Sequence, residues 1–139
     1  MHKVDNVTGR LVEVTVAPPL TLEEITGFVD ELRGTIQRIP GRYVGVVDLR
    51  QADVFPVEVA QALIELLSRM ADRVERTAFL IGESAVFALQ IERVIRKSVH
   101  PHRRAFRGTA ELEAWLGEVL TDRESERLGD FLLRVGVAG

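Results

Sequence analysis

Four side chains in this sequence of 139 residues could do acid–base or nucleophilic work: Asp48, Asp53, Glu83 and Ser84. Each lies at the end of, or just beyond, an apolar run that reads as a strand, and an open α/β sheet gathers its site at the carboxyl ends of its strands. Two carboxylates placed there can divide into acid and base when burial separates their pKa values. No Cys is present, however, and no motif spacing ties a His or Lys to these groups. Asp and Ser at helix starts are ordinary caps that accept hydrogen bonds from free backbone amides. The pattern points away from catalysis, so no catalytic residue is assigned and an enzyme with a carboxylate site ranks third. Asp48, Arg50, Asp53, Glu83 and Ser84 stand as candidates for holding a ligand or a partner. His100-Pro101-His102 is an incomplete ligand set, two histidines on a proline loop without Cys or a helical His-x-x-x-His spacing, so neither metal nor cofactor is expected. The glycines Gly41, Gly45 and Gly82 match no nucleotide-binding loop.

A second candidate is electrostatic. Between Arg93 and Arg107 the chain carries Arg93, Arg96, Lys97, Arg103, Arg104 and Arg107, with His100 and His102, and no carboxylate, although the net charge is -3. Such a block can be a solvated face, can dock an acidic partner, or can hold a phosphate or lipid headgroup; the solvated face is the simplest reading. Arg96, Lys97, Arg103 and Arg104 are the candidate anion or partner contacts. The acidic balance and the lack of aromatic residues among these arginines argue against nucleic acid. A lipid carrier would need a large internal cavity besides a core, and the chain is short for both.

The elements that must position these groups are legible as alternating strands and helices. The run Tyr43, Val44, Val46, Val47, Leu49 is apolar on both faces, as a central strand covered on both sides should be. Before it, residues 3–8 and 11–17 read as a hairpin, and Thr21 with Glu24 has the capping-box spacing that starts a helix. That helix ends at Pro40-Gly41. Pro56 sits where a first turn tolerates proline, and a second helix runs to about Arg73 on a stripe of Ala60, Leu63, Ile64, Leu67 and Met70. Val59, Ala62 and Leu66 widen its apolar surface beyond the single stripe a surface helix needs, so the helix is either deeply covered within the fold, the simpler reading, or offers a flank to a partner. Thr77 to Ile81 is the next strand, Ser84 caps a third helix, Ala105-Phe106 mark a last short strand, and a fourth helix begins at Thr109. Thr121 and Glu124 repeat the capping spacing before a helix carrying Leu128, Phe131, Leu132 and Val135.

This order predicts a single α/β domain over residues 1–121. It is a mixed, mostly parallel sheet with covering helices and its first strand antiparallel at an edge. Residues 122–139 form an appended helix and tail, not a separate domain. With 46% hydrophobic and 28% charged residues the chain can bury a proper core. No run approaches the ~20 apolar residues of a bilayer span. The start lacks the basic and apolar pattern of a signal peptide, and the cytoplasm is the expected compartment.

The strand ending Val46-Val47-Asp48-Leu49-Arg50, the strand Thr77-Ala78-Phe79-Leu80-Ile81-Gly82, and Ala105-Phe106 followed by Leu112-Glu113-Ala114-Trp115-Leu116 resemble the SpoIIAA-like, or STAS-like, family. The resemblance spans roughly residues 8–120. It implies a fold related to the anti-anti-sigma regulators and, more distantly, to the CRAL-TRIO lipid-binding domains. It also implies a regulatory or interaction role rather than a reaction. In phosphorylatable members a hydroxyl at the start of the helix after the Asp-Leu strand is acted on by kinase and partner. The corresponding Phe55-Pro56-Val57-Glu58-Val59 has none. A phosphate would bring about -2 of charge, of which Glu58 imitates a little permanently.

The expected function is therefore a non-enzymatic regulatory or protein-interaction module without the phosphoacceptor hydroxyl. A module for a small anionic ligand or lipid is the alternative. The partner is expected to be a protein, with a second copy of the chain as one form of it. The stripe Leu128, Phe131, Leu132 and Val135 lies beyond the family's fold, and Val59, Ala62 and Leu66 offer a flank, so a homodimer through these residues is expected.

Overall fold

The computed structural model describes residues 1–138, with side-chain surroundings through Leu133. The elements are β1 (His2–Asp5), β2 (Leu11–Val16), α1 (Leu22–Gln37), β3 (Tyr43–Leu49), α2 (Val57–Arg69), β4 (Val74–Ile81), α3 (Ala85–Lys97), β5 (Arg103–Phe106), α4 (Thr109–Gly117) and α5 (Asp122–Ala138). One mixed sheet runs in the order β1-β2-β3-β4-β5, with β1 antiparallel to β2 and the remaining pairs parallel. The α/β class, the central place of β3 and the antiparallel edge all agree with the sequence reading.

Because the parallel strands advance in one direction, right-handed crossovers put α1, α2 and α3 on the same face. Their Ile25, Phe28, Leu32, Ile36, Val59, Leu66, Phe87 and Ile91 pack on Val12, Val14, Val16, Leu49, Phe79 and Ile81. The opposite face carries Leu11, Val44, Val46, Ala78 and Leu80, covered by Leu112 and Leu116 of α4 and Leu128, Phe131 and Leu132 of α5. An open sheet forms its ligand crevice where strand order reverses. The parallel strands here never reverse, so their carboxyl ends meet loops and helix starts only.

Boundaries shift where side chains take backbone partners. β1 stops at Asp5, short of the expected residue 8, because the Asn6 amide donates to the Gly9 and Leu11 carbonyls, both at 2.9 Å, and closes the turn. α2 ends at Arg69 rather than near Arg73, which instead turns its guanidinium back to the Ile36, Ile39 and Gly41 carbonyls at the end of α1. β4 starts at Val74, before the expected Thr77, and β5 at Arg103, before the expected Ala105.

Two expectations about apolar faces are corrected. In α2 the second stripe is covered within the fold, as the simpler reading has it, and leaves no flank for a second copy: Val59 and Leu66 are buried and Ala62 packs against the same core, whereas Leu63 and Leu67 are half-buried. Nor does the stripe of α5 await a second copy. Leu128, Phe131 and Leu132 are buried in their own chain against β2, β3 and α4, which removes the reason for a dimer through them. Val135 lies outside the described side chains.

Candidate functional site

Asp48 and Arg50, the first candidates, serve the fold. β3 alternation turns Asp48 to the α4–α5 face, where it is buried. Arg50 folds back over it, donating from its backbone amide at 3.0 Å and from its guanidinium at 2.7 Å, and passes a further bond to the Leu132 carbonyl of α5 at 2.9 Å. A carboxylate buried and occupied this way orders a helix. Asp53 and Glu83 are exposed at the same end of the sheet; Asp53 accepts from the adjacent Val54 amide at 2.7 Å. No hydrogen bond or ion pair joins Asp53 or Glu83 to each other or to Asp48 among the described residues. Ser84 is the N-cap of α3, accepting from the Phe87 amide at 3.2 Å. These four groups do not converge on one reacting centre.

The basic block is also divided. Arg103, expected at the surface, is buried on the α3 side, where it donates to the carbonyls of Ser98 and Leu67 and so ties the ends of α3 and α2 to β5. Burial pushes its pKa down, and the neighbouring Tyr43 works against that shift. Strand alternation sends Arg104 to the other face, over the Trp115 ring at 5.1 Å, with Arg76 over the same ring at 4.9 Å. Arg96 and Lys97 are exposed on the last turn of α3, where a cation complements the helix dipole. His100 accepts from the His102 amide through Nδ1 at 3.0 Å, and burial, with Arg103 nearby, lowers its pKa. No group of three or more His, Asp or Glu side chains able to hold a metal occurs among the described residues. No described helix is long and apolar enough to cross a membrane.

A cavity of about 60 Å³ lies between the sheet and α1–α3, lined by residues that include Val14, Tyr43, Gly45, Leu63, Leu66, Thr77 and Phe79. Among the described residues no charged side chain lines it, and burial pushes the Tyr43 hydroxyl up to about 12. A cavity that holds benzene measures ~150 Å³, so this one is too small for a lipid chain.

The carboxyl end of the sheet holds a different feature. Phe55 docks on α3 edge-to-face against Phe87, centroids 5.2 Å apart, and its backbone N–H and C=O each bond the Gln90 side chain at 2.8 Å. Around this clasp four aliphatic side chains face outward: Val54 is 48% exposed, Val57 81%, Val86 65% and Leu89 65%. Exposed Asp53, Glu58 and Glu83 stand in the same segments. In the sequence Val57 stands out only for its missing hydroxyl; the signal available is that Val54, Val57, Val86 and Leu89 fall outside every core stripe. Surface valines are common singly, and what sets these apart is that one buried clasp brings two pairs to the same end. No family model matches this chain, and no curated protein or solved structure matches it.

Proposed function

We propose that the chain is a non-enzymatic interaction domain of SpoIIAA-like type, acting within the cytoplasm, and that it docks a protein on the apolar surface at the starts of α2 and α3. The observation that carries this reading is the clasp of Phe55 on Phe87 and Gln90. It spends buried contacts on a loop whose flanking residues, Val54 and Val57, remain exposed beside Val86 and Leu89. Burying such side chains is worth ~1.5–3 kcal/mol each, a gain the chain leaves unused on its own. The resemblance supports the same place, since α2 begins where phosphorylatable members meet their partners. Here Val57 and Glu58 replace a switchable hydroxyl, so docking is constitutive. The carboxylates Asp53, Glu58 and Glu83 favour a partner that surrounds its apolar residues with Lys or Arg. The lipid alternative gains nothing from the internal cavity, which is below the size of one aromatic ring.

A photo-cross-linking side chain at position 86, used in cells with and without Val57→Glu plus Leu89→Glu, tests the proposal. Both substituted positions are exposed, and each should shift stability by less than ~0.5 kcal/mol. The expected result is a discrete cross-linked protein that disappears in the double variant while the thermal midpoint is unchanged. Identical cross-links in the double variant, or none in the wild type, would reject the surface.

A further inference from the structure

β5 is the open edge of the sheet beyond β4. Thr77 pairs with Arg103, and the Thr77 N–H bonds the His102 carbonyl at 3.0 Å, so Arg104 and Phe106 direct their backbone groups towards β4. Arg103 and Ala105 therefore turn N–H and C=O outward, and among the described residues these groups have no hydrogen-bond partner. A groove of about 330 Å³ follows this edge beside α3, lined by Glu92, Ile95, Arg96, Arg103, Arg104 and Ala105. Arg96 stands on the α3 side of the edge and Arg104 on the α4 side, held over Trp115. Among the described residues neither forms an ion pair, and nor do the neighbouring Arg93, Lys97 and Arg107. The buried Nε of Arg103 also lacks a partner among the described residues.

We infer that this edge accepts an extended acidic peptide of a partner protein as an added strand. Backbone pairing with Arg103 and Ala105 supplies register, and successive side chains of an added strand point alternately to the two faces, so its carboxylates can reach Arg96 on one and Arg104 on the other. Ile95 offers an apolar contact between them, and Glu92 is the one carboxylate in the groove, against three arginines. Short, charged edge strands discourage indiscriminate pairing; an edge whose charges are mostly cationic, with Glu92 the minority, disfavours basic strands and favours acidic ones. This surface is separate from the apolar one at the starts of α2 and α3 and prefers a partner of opposite charge to the one proposed there.

The test uses the whole chain and an acetylated octapeptide of alternating Glu and Thr pairs, which places carboxylates on both faces of an added strand, with a Lys/Thr counterpart and inorganic phosphate as controls. The acidic peptide should bind with a marked salt dependence. Arg96→Gln and Arg104→Gln should each weaken it about twofold to fivefold, as exposed ion pairs do. Ala105→Pro, which deletes one outward N–H and no charge, should weaken it about threefold to tenfold. Should that variant fail to fold, amide exchange of the wild type decides: the Arg103 and Ala105 amides gain protection on peptide addition if the inference holds, and unchanged protection overturns it. Equal binding of the Lys/Thr peptide, or full competition by phosphate at matched charge, would reduce the edge to a plain charged surface and overturn strand addition. Self-association abolished by Ala105→Pro would make the occupant a second copy and overturn it too.

Discussion

The two faces of the sheet are built from the same strands on different principles. Towards α1–α3 the sheet presents Val12, Val14, Val16, Leu49 and Phe79, and helices settle on it mainly by apolar burial, loosely enough to leave a cavity of about 60 Å³, with Arg103 alone among the buried charges tying the ends of α2 and α3. Towards α4–α5 the same strands present Glu13 and Asp48, both buried, between Leu11, Val44 and Val46. α5 answers them one by one. Arg127 grips Glu13 with two bonds of 2.7 Å, and Arg50 links Asp48 to the Leu132 carbonyl. Glu124 caps its own helix through the Thr121 amide at 2.8 Å and reaches the Arg10 amide of the β1–β2 turn at 2.6 Å. Gly9 in that turn has φ +56, and a Cβ there would stand 2.2 Å from Glu124. An apolar face accepts a helix over a range of positions, whereas buried charges accept one register, since each must meet its partner or stay desolvated and alone. α5 is therefore addressed by charge, and α1–α3 mainly by shape.

The largest effect that would break this comparison is expected at Arg127. Arg127→Ala leaves Glu13, only 2% exposed, without its partner, and losing one member of a buried pair costs ~3–5 kcal/mol. Glu13→Leu with Arg127→Leu removes both charges and should recover most of that loss while allowing α5 more than one position. Urea unfolding measures the first and exchange broadening of α5 resonances the second. A cost below ~1 kcal/mol for Arg127→Ala would show that apolar packing alone seats α5.

Glu124 gives a smaller, pH-dependent effect. Burial alone would raise its pKa, but the Arg10 and Thr121 amides, the Arg10 charge and the Thr121 hydroxyl outweigh it, and the net value is lowered. A folded-state pKa below the unfolded one contributes stability that is complete above the unfolded value, ~4.3, and is lost as pH falls through the folded value. Wild-type stability should therefore drop more steeply below pH ~4.3 than that of Glu124→Gln, which is less stable at neutral pH and flatter in acid. Parallel profiles for the two proteins would remove Glu124 from the seating of α5.

What was legible in the sequence follows the same division. β3 declares itself because both faces of its run are apolar, and Thr21, Ser84 and Thr121 announce helix starts because capping is local chemistry. α5 was legible as a helix with something to bury, but its destination was not. Glu13 alternates with Val12 and Val14 and so reads as solvent-facing, while the residue that neutralises it stands 114 positions away. Arg103 misled likewise: a cation among cations reads as surface, and only the folded chain brings the Leu67 and Ser98 carbonyls to it. In α2, apolar residues cover too wide an arc to choose a phase. The Phe55–Gln90 clasp, a contact across 35 positions, accompanies the turn of Val59 and Leu66 towards the sheet.

The smallest expected effect sharpens the comparison from the apolar side. Gly45 lies at an inward position of β3, on the cavity wall, opposite Thr77 of β4. A Cβ built there would stand 3.4 Å from Thr77 Cγ2, 3.5 Å from its Oγ1 and 3.5 Å from Tyr43 Cε2, at the near end of ordinary van der Waals contact. Glycine in a strand interior costs roughly 0.5–1 kcal/mol relative to alanine through the freedom it loses on folding, and the added methyl fills part of the void, where each lost Å³ is worth ~24 cal/mol. Gly45→Ala should therefore stabilise the chain by up to ~1 kcal/mol in urea unfolding, with the slope unchanged. The equivalent attempt on the other face, replacing Glu13 alone by an apolar residue, should destabilise by stranding Arg127. If Gly45→Ala instead costs ~1 kcal/mol or more, the wall above β3 has no slack and the α1–α3 face is as closely specified as the charged one.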